Sequence, residues 1–400
     1  MITLSNFRRR RSDSGVDVSC DVLIDGHKDE ITFHVTVDDD LADVVFPHPV
    51  SFAMAMLVPA MERGKDIHVD GHIDPALLHR LNFFAVTMLH SKYEQFKPIT
   101  ITAVPRTSDT STKVPLGAMS GMSCGVDSLR TQMIYADGGD APDRYKLRVL
   151  SVFNVGSFFD PILEYPRILE KARDIAEETN CRTIGVSSDF GRYYAGKFRD
   201  SCTIRHAACA YSLIDLVDVY MVSSAYEWNA VNADKTSRTA CEAIDPILLP
   251  MLASDRLEIF SAAANESRRF KTEEIVNHSP FIHMIDTCTR PISKRAIEKN
   301  CGTCRKCGEV LLIAEAMGKI ETVAPYFDMD AFEKRRFRVF QRMFTNITID
   351  KRLAPKLVSR IEGDLAKQVK APFGSIFIGV LVGKLTLLAG ALKIIKIDIV

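Results

Sequence analysis

The chain has 400 residues, 46% hydrophobic and 26% charged, which excludes a disordered or fibrous protein and leaves room for two or three folded units. Fifty-one basic residues balance fifty-one acidic ones, so no global positive field draws in nucleic acid or anionic lipid, and a nucleic-acid partner is not expected. The opening MITLSNFRRRRSDSG lacks an apolar stretch after its basic residues and does not read as a secretory signal. A reducing, cytoplasmic setting is expected, with the ten cysteines as thiols or metal ligands.

In chain order, VSCDVLID and ITFHVTVD alternate like strands, while VSFAMAMLVPAMERG and PALLHRLNFFAVTMLHSKYEQF carry helical periodicity. These define a small N-terminal α+β accessory domain, 1–112. The polar, turn-rich PRTSDTSTK reads as a linker. Short β-rich runs, VPLGAMSGM, YKLRVLSVF, CRTIGVSS and LVDVYMVSS, then alternate with helical stretches. That spacing predicts an α/β fold with a parallel sheet and helices on both faces over 113–320, its ligands at the carboxyl ends of the strands. The rest, 321–400, reads as a helical C-terminal region with an apolar end. That end, 371–392, is interrupted by Lys384, so a buried or interface segment is preferred and a membrane contact is the lesser alternative.

Between the first strand of this second unit and its helix lies SGMSCGVDSLRTQM. Small residues here let backbone N–H groups converge on an anion, and a helix N-terminus adds partial positive charge. Ser123 and Ser128 can donate hydroxyls to phosphate, and Asp127 is either a Mg2+ ligand or a brace at the helix start. Walker A and GxGxxG spacings are both missing. Near the end of the unit, Cys301, Cys304 and Cys307 form CxxCxxC with Cys288 upstream, four thiolates suited to a closed structural Zn2+ site. An iron–sulfur cluster is the rival occupant.

Ser123-Cys124-Gly125-Val126-Asp127-Ser128 resembles the SGGxDS signature of the PP-loop, or N-type, ATP pyrophosphatases, with Cys124 where that family has its first glycine. With the downstream cysteines, 114–318 resembles the 7-cyano-7-deazaguanine synthase family and a broader set with an extra N-terminal domain. Gly308 and Glu309 depart from the basic residue often found after the last cysteine.

The resemblance implies a PP-loop/HUP-like fold and an adenylating, C–N bond-forming ligase that splits ATP, with Mg2+, into AMP and pyrophosphate. It activates a carboxylate or carbonyl oxygen for a nitrogen nucleophile. ATP and pyrophosphate would rest on Ser123, Cys124, Gly125, Val126, Asp127 and Ser128, with Asn154 at the adenine. Asp127, Ser128 and Arg205 are the catalytic candidates, and Arg268 and Lys271 the candidates for an anionic group of the substrate. The expected partners are a small-molecule or protein-borne carboxylate and a second copy or partner protein on the N- or C-terminal region. A sulfur-transfer enzyme acting on RNA, and a nucleotide-binding scaffold with a decayed loop, are the alternatives.

Overall fold

In the computed structural model, which describes residues 1–105, 115–139, 141–233, 240–295, 298–336 and 338–339, the chain begins with an antiparallel meander. Its strands are β1 (Ile2–Ser12), β2 (Gly15–Ile24) and β3 (His27–Thr36). The four consecutive arginines belong to β1, whose residues alternate between protected and exposed. Cross-strand carboxylates accept them: Arg8 meets Asp21 at 2.8 Å and Arg10 meets Asp17 at 3.0 Å.

The short α1 (Asp39–Ala42) leads to α2 (Pro49–Arg63), which starts on a proline and stops at Gly64 in the left-handed region, φ 64°. Every residue of α2 from Val50 to Met61 is buried, as expected of a helix apolar on all sides. It packs on α7 (Cys202–Tyr211) and on the parallel strand β4 (Ile67–Ile73). Phe52 of α2 lies 5.6 Å from Phe7 and 5.3 Å from Phe33, centroid to centroid. Truncating it to alanine costs about 3–5 kcal/mol. The long helix read from 75 onward is α3 (Pro75–Arg80), a π-helical turn at Leu81–Ala85 and α4 (Val86–Lys92). Asp74 caps its start, accepting from Leu77 N at 2.7 Å. Strand β5 (Ile101–Pro105) pairs with β4.

Past 114 the chain alternates strand and helix: β6 (Gly117–Gly121), α5 (Val126–Tyr135), β7 (Leu147–Asn154), α6 (Pro161–Glu178), β8 (Arg182–Ser188), α7, β9 (Val217–Ser223), α8 (Asp245–Met251) and β10 (Glu258–Ala262). These five strands are all parallel, in the order β8-β7-β6-β9-β10. Numbered along the chain, that is 3-2-1-4-5, the doubly wound arrangement whose switch point lies between β6 and β9. The α/β architecture with a largely parallel sheet is therefore present.

The N-terminal strands extend the same sheet. β3 pairs antiparallel with β8, Val35 opposite Val186, and the full order is β10-β9-β6-β7-β8-β3-β2-β1-β4-β5. Met1–Arg268 forms one compact unit, and a second begins at Arg269. The second unit holds most of α9 (Arg268–His278), then α10 (Arg305–Ala316) and α11 (Ile320–Val323). The expected linker, apart from Pro105, and the apolar segment 371–392 lie outside the described residues. No helix among the described residues is long and apolar enough to cross a membrane.

Candidate functional site: a serine-lined loop and a four-thiol cluster

The loop after β6 sits at the switch point, where an open parallel sheet leaves a crevice at its carboxyl edge. Met122 N is tied to Ser151 O of β7 at 2.7 Å, and α5 starts at Val126 with Gly125 as its cap residue. The Ser123 and Ser128 hydroxyls face each other at 3.2 Å, and Ser128 Oγ also donates to Gly125 O at 3.1 Å. Two hydroxyls thus stand beside the opening turn of a helix whose first N–H groups have no intrahelical acceptor.

Cys124 has φ 56° and is fully buried. The chain therefore turns through the left-handed region, which favours glycine, and the cysteine bears the strain of a β-carbon there.

Asp127 and Arg268 are brought together, Arg268 Nη1 donating to Asp127 Oδ2 at 2.7 Å. One helical turn further along α5, Arg130 makes a two-pronged pair with Glu266: Nε to Oε2 at 2.9 Å and Nη2 to Oε1 at 2.7 Å. The segment after β10 is strapped to α5 by both pairs, and sequence reading missed the second because its partners are 136 positions apart. Arg205 is not part of this group: it is buried in α7 and donates to Val155 O and Ser201 Oγ. Asn154 closes β7. Lys271 lies in α9, 1% exposed. A cavity of about 850 Å³ opens along the later part of α5, lined by Arg130, Tyr135, Tyr145, Glu258, Phe260 and Glu266 among others; Ser123–Ser128 are not in its wall.

In the second unit, the thiol sulfurs of Cys288, Cys301, Cys304 and Cys307 all lie within 4.8 Å of one another. Cys301 and Cys307 are 4.0 Å apart and Cys304 and Cys307 3.3 Å, bracketing the edge of about 3.8 Å of a tetrahedron with metal–sulfur bonds of about 2.3 Å. An iron–sulfur cubane interposes iron and sulfide between its thiolates and spaces them wider. The cluster therefore fits a single ion such as zinc.

The surroundings hold the sulfurs in place. Gly302 has φ 65°, and a β-carbon there would lie 2.5 Å from Asp328 O. Asn300 accepts from Thr287 N and Cys288 N at 2.9 and 3.0 Å and donates to Ile285 O and Tyr326 O. Backbone N–H groups of Cys304 and Arg290 point at Cys301 Sγ and Cys288 Sγ, at 3.3 and 3.4 Å. Hydrogen bonding, led by Cys288, pulls Cys301 down to about 5 and lowers Cys304 as well; Cys288 and Cys307 are pushed up. Burial pushes the thiols of Cys202, Cys209 and Cys241 up instead, which makes them poor nucleophiles.

Comparison with protein-family models, curated proteins and solved structures found no match for this chain.

Proposed function

We propose that the chain is an ATP-dependent, adenylate-forming enzyme of the PP-loop class, activating a carboxylate for attack by a nitrogen nucleophile. The observation that carries this reading is the serine-lined turn 122–125 between β6 and α5, seated at the switch point of a 3-2-1-4-5 parallel sheet. Pyrophosphate would rest on the Ser123 and Ser128 hydroxyls and the first N–H groups of α5, with the adenosine half directed toward Asn154 on the adjacent strand β7. No lysine stands in the Walker position to grip a γ-phosphate alone, which favours cleavage between the α and β phosphates.

Asp127 is the carboxylate able to hold Mg2+, which when bound screens phosphate charge. Arg268 donates to its Oδ2, so the cation and the guanidinium would compete for one oxygen, and Arg268 would be released toward the phosphates. Zinc fits the four thiols and would stabilise the second unit without taking part in chemistry. The thiol spacing and the high thiol pKa values of Cys202, Cys209 and Cys241 weigh against the sulfur-transfer alternative. Cys124 in a strained conformation favours one second reading, a scaffold that binds nucleotide without turning it over.

The deciding experiment incubates the protein with ATP, Mg2+ and a panel of carboxylates with ammonia. AMP and pyrophosphate are expected; ADP and phosphate would overturn the class, and binding without turnover across the panel would favour the scaffold.

A further inference from the structure

Arg205 is 5% exposed, yet among the described residues no carboxylate lies within ion-pair distance of it. Of the five N–H groups a guanidinium carries, Nε donates to Ser201 Oγ at 3.0 Å and Nη1 to Val155 O at 2.9 Å. Nη2 donates to no described residue. The charge is held by two ring faces, Tyr194 at 3.8 Å and Phe198 at 5.4 Å from the guanidinium carbon. Glu62, a carboxylate whose charge acts on Arg205 without an ion pair, accepts from Ala195 N and Gly196 N at 2.9 and 2.7 Å. His206, next along α7, cannot supply a charge of opposite sign. A buried cation without a counter-ion is an arrangement folding alone does not favour.

Two glycines face the guanidinium. Gly156, φ 104°, follows β7, and a β-carbon there would lie 2.8 Å from Arg205 Nη1; one on Gly191 would lie 3.6 Å from it. The guanidinium therefore packs closely on the backbone of Gly156 at the carboxyl end of β7, the strand beside β6, on the ligand-binding edge of the sheet. We infer that Arg205, buried without a counter-ion and with Nη2 donating to no described residue, is an oxyanion-binding position separate from the serine loop, completed by a carboxylate or phosphate on the guanidinium fork. A ligand reaching both places would be dianionic, with one group at Ser123 and Ser128 and the other at Arg205.

The test uses no ATP and no turnover, so it fails independently of the proposed reaction. Melting temperature is followed against inorganic phosphate and, separately, against acetate, at constant ionic strength, for the wild-type chain, Arg205→Lys, Arg205→Met and the surface variant Arg10→Gln. At least one anion is expected to stabilise the wild type, with its apparent affinity reduced tenfold or more in Arg205→Lys, reduced further in Arg205→Met and within twofold of wild type in the surface variant Arg10→Gln. Response to phosphate alone assigns the position to a nucleotide phosphate, and response to acetate assigns it to a substrate carboxylate. No shift with either anion, an unchanged shift in Arg205→Lys, or an equal loss in Arg10→Gln would overturn the inference. If Arg205→Met does not fold, the lysine variant, with its fold checked by circular dichroism, decides alone.

Discussion

Arg268 Nη1 and Asp127 Oδ2 are 2.7 Å apart, with both side chains less than one-fifth exposed. The pair joins the head of α5 to the start of α9 and leaves the carboxylate neutralised before any ligand arrives. Under the proposed function, an incoming polyphosphate would therefore meet no bare Asp127 charge at the helix N-terminus.

If Mg2+ displaces Arg268 from Asp127, Arg268→Gln lowers the Mg2+ concentration needed for half-maximal activity by about tenfold, equivalent to about 1.4 kcal/mol. Asp127→Asn reduces kcat by about 100-fold or more, as loss of a charge-positioning group does, with the far-ultraviolet spectrum unchanged. A Mg2+ titration of initial rates measures the first effect. An identical midpoint in Arg268→Gln and wild type would remove the competition from the scheme.

Cys124 reverses an ordinary ranking. At φ 56° an L-residue bears roughly 1–2 kcal/mol that glycine does not, so Cys124→Gly is expected to be more stable than Cys124→Ala by about 1 kcal/mol. Urea unfolding of the two variants compares them with the sulfur absent from both. Nucleotide affinity should stay within about tenfold of wild type in Cys124→Gly. Activity present only in the glycine variant would establish the scaffold reading for the natural chain.

Metal analysis of anaerobically purified protein should return one zinc per chain and no stoichiometric iron or labile sulfide. Strong chelation should lower the melting temperature, since binding energy at a closed thiolate site is folding energy. Gly302→Ala should cost about 3 kcal/mol, combining a forced left-handed alanine with the clash against Asp328 O. Full zinc occupancy and wild-type stability in Gly302→Ala would contradict the packing described.

Burial raises the Asp245 carboxyl to about 8, against a hydrogen bond from Thr203 Oγ1 at 2.6 Å that acts the other way. The native state holds this proton where the unfolded chain, titrating near 4, has lost it. Stability from this group is complete below about pH 4 and is lost as the pH rises toward 8, a difference on the order of a few kcal/mol. Asp245→Asn should flatten the stability profile between pH 5 and 8 and raise the melting temperature at pH 8. A parallel profile in wild type and variant would show that Asp245 ionises freely.

The sequence exposed features that depend on neighbours in the chain. The spacing of Cys301, Cys304 and Cys307 announced a turn of converging sulfurs, and the strand–glycine–helix grammar around Gly125 located the loop. Arg8 to Arg11 carried no strand signal, because a run of like charges has no apolar alternation; the partners that pair with it, Asp17, Asp21, Asp39 and Asp43, come from other elements. Asp127 with Arg268 and β3 with β8 were likewise invisible, because sequence pattern carries no register between segments more than a hundred positions apart. The left-handed turn at Cys124 is legible only by knowing which residue such a loop prefers.

The antiparallel pairing of β3 with β8 makes the first hundred residues indispensable to the rest. Cut them away, and β8 becomes a sheet margin with its backbone donors and acceptors bared to solvent and to other chains. A fragment beginning near residue 115 would retain every residue of the serine loop, yet it should self-associate edge to edge rather than behave as a minimal enzyme. The N-terminal region is thus a selvage, the woven border that keeps a cloth from fraying.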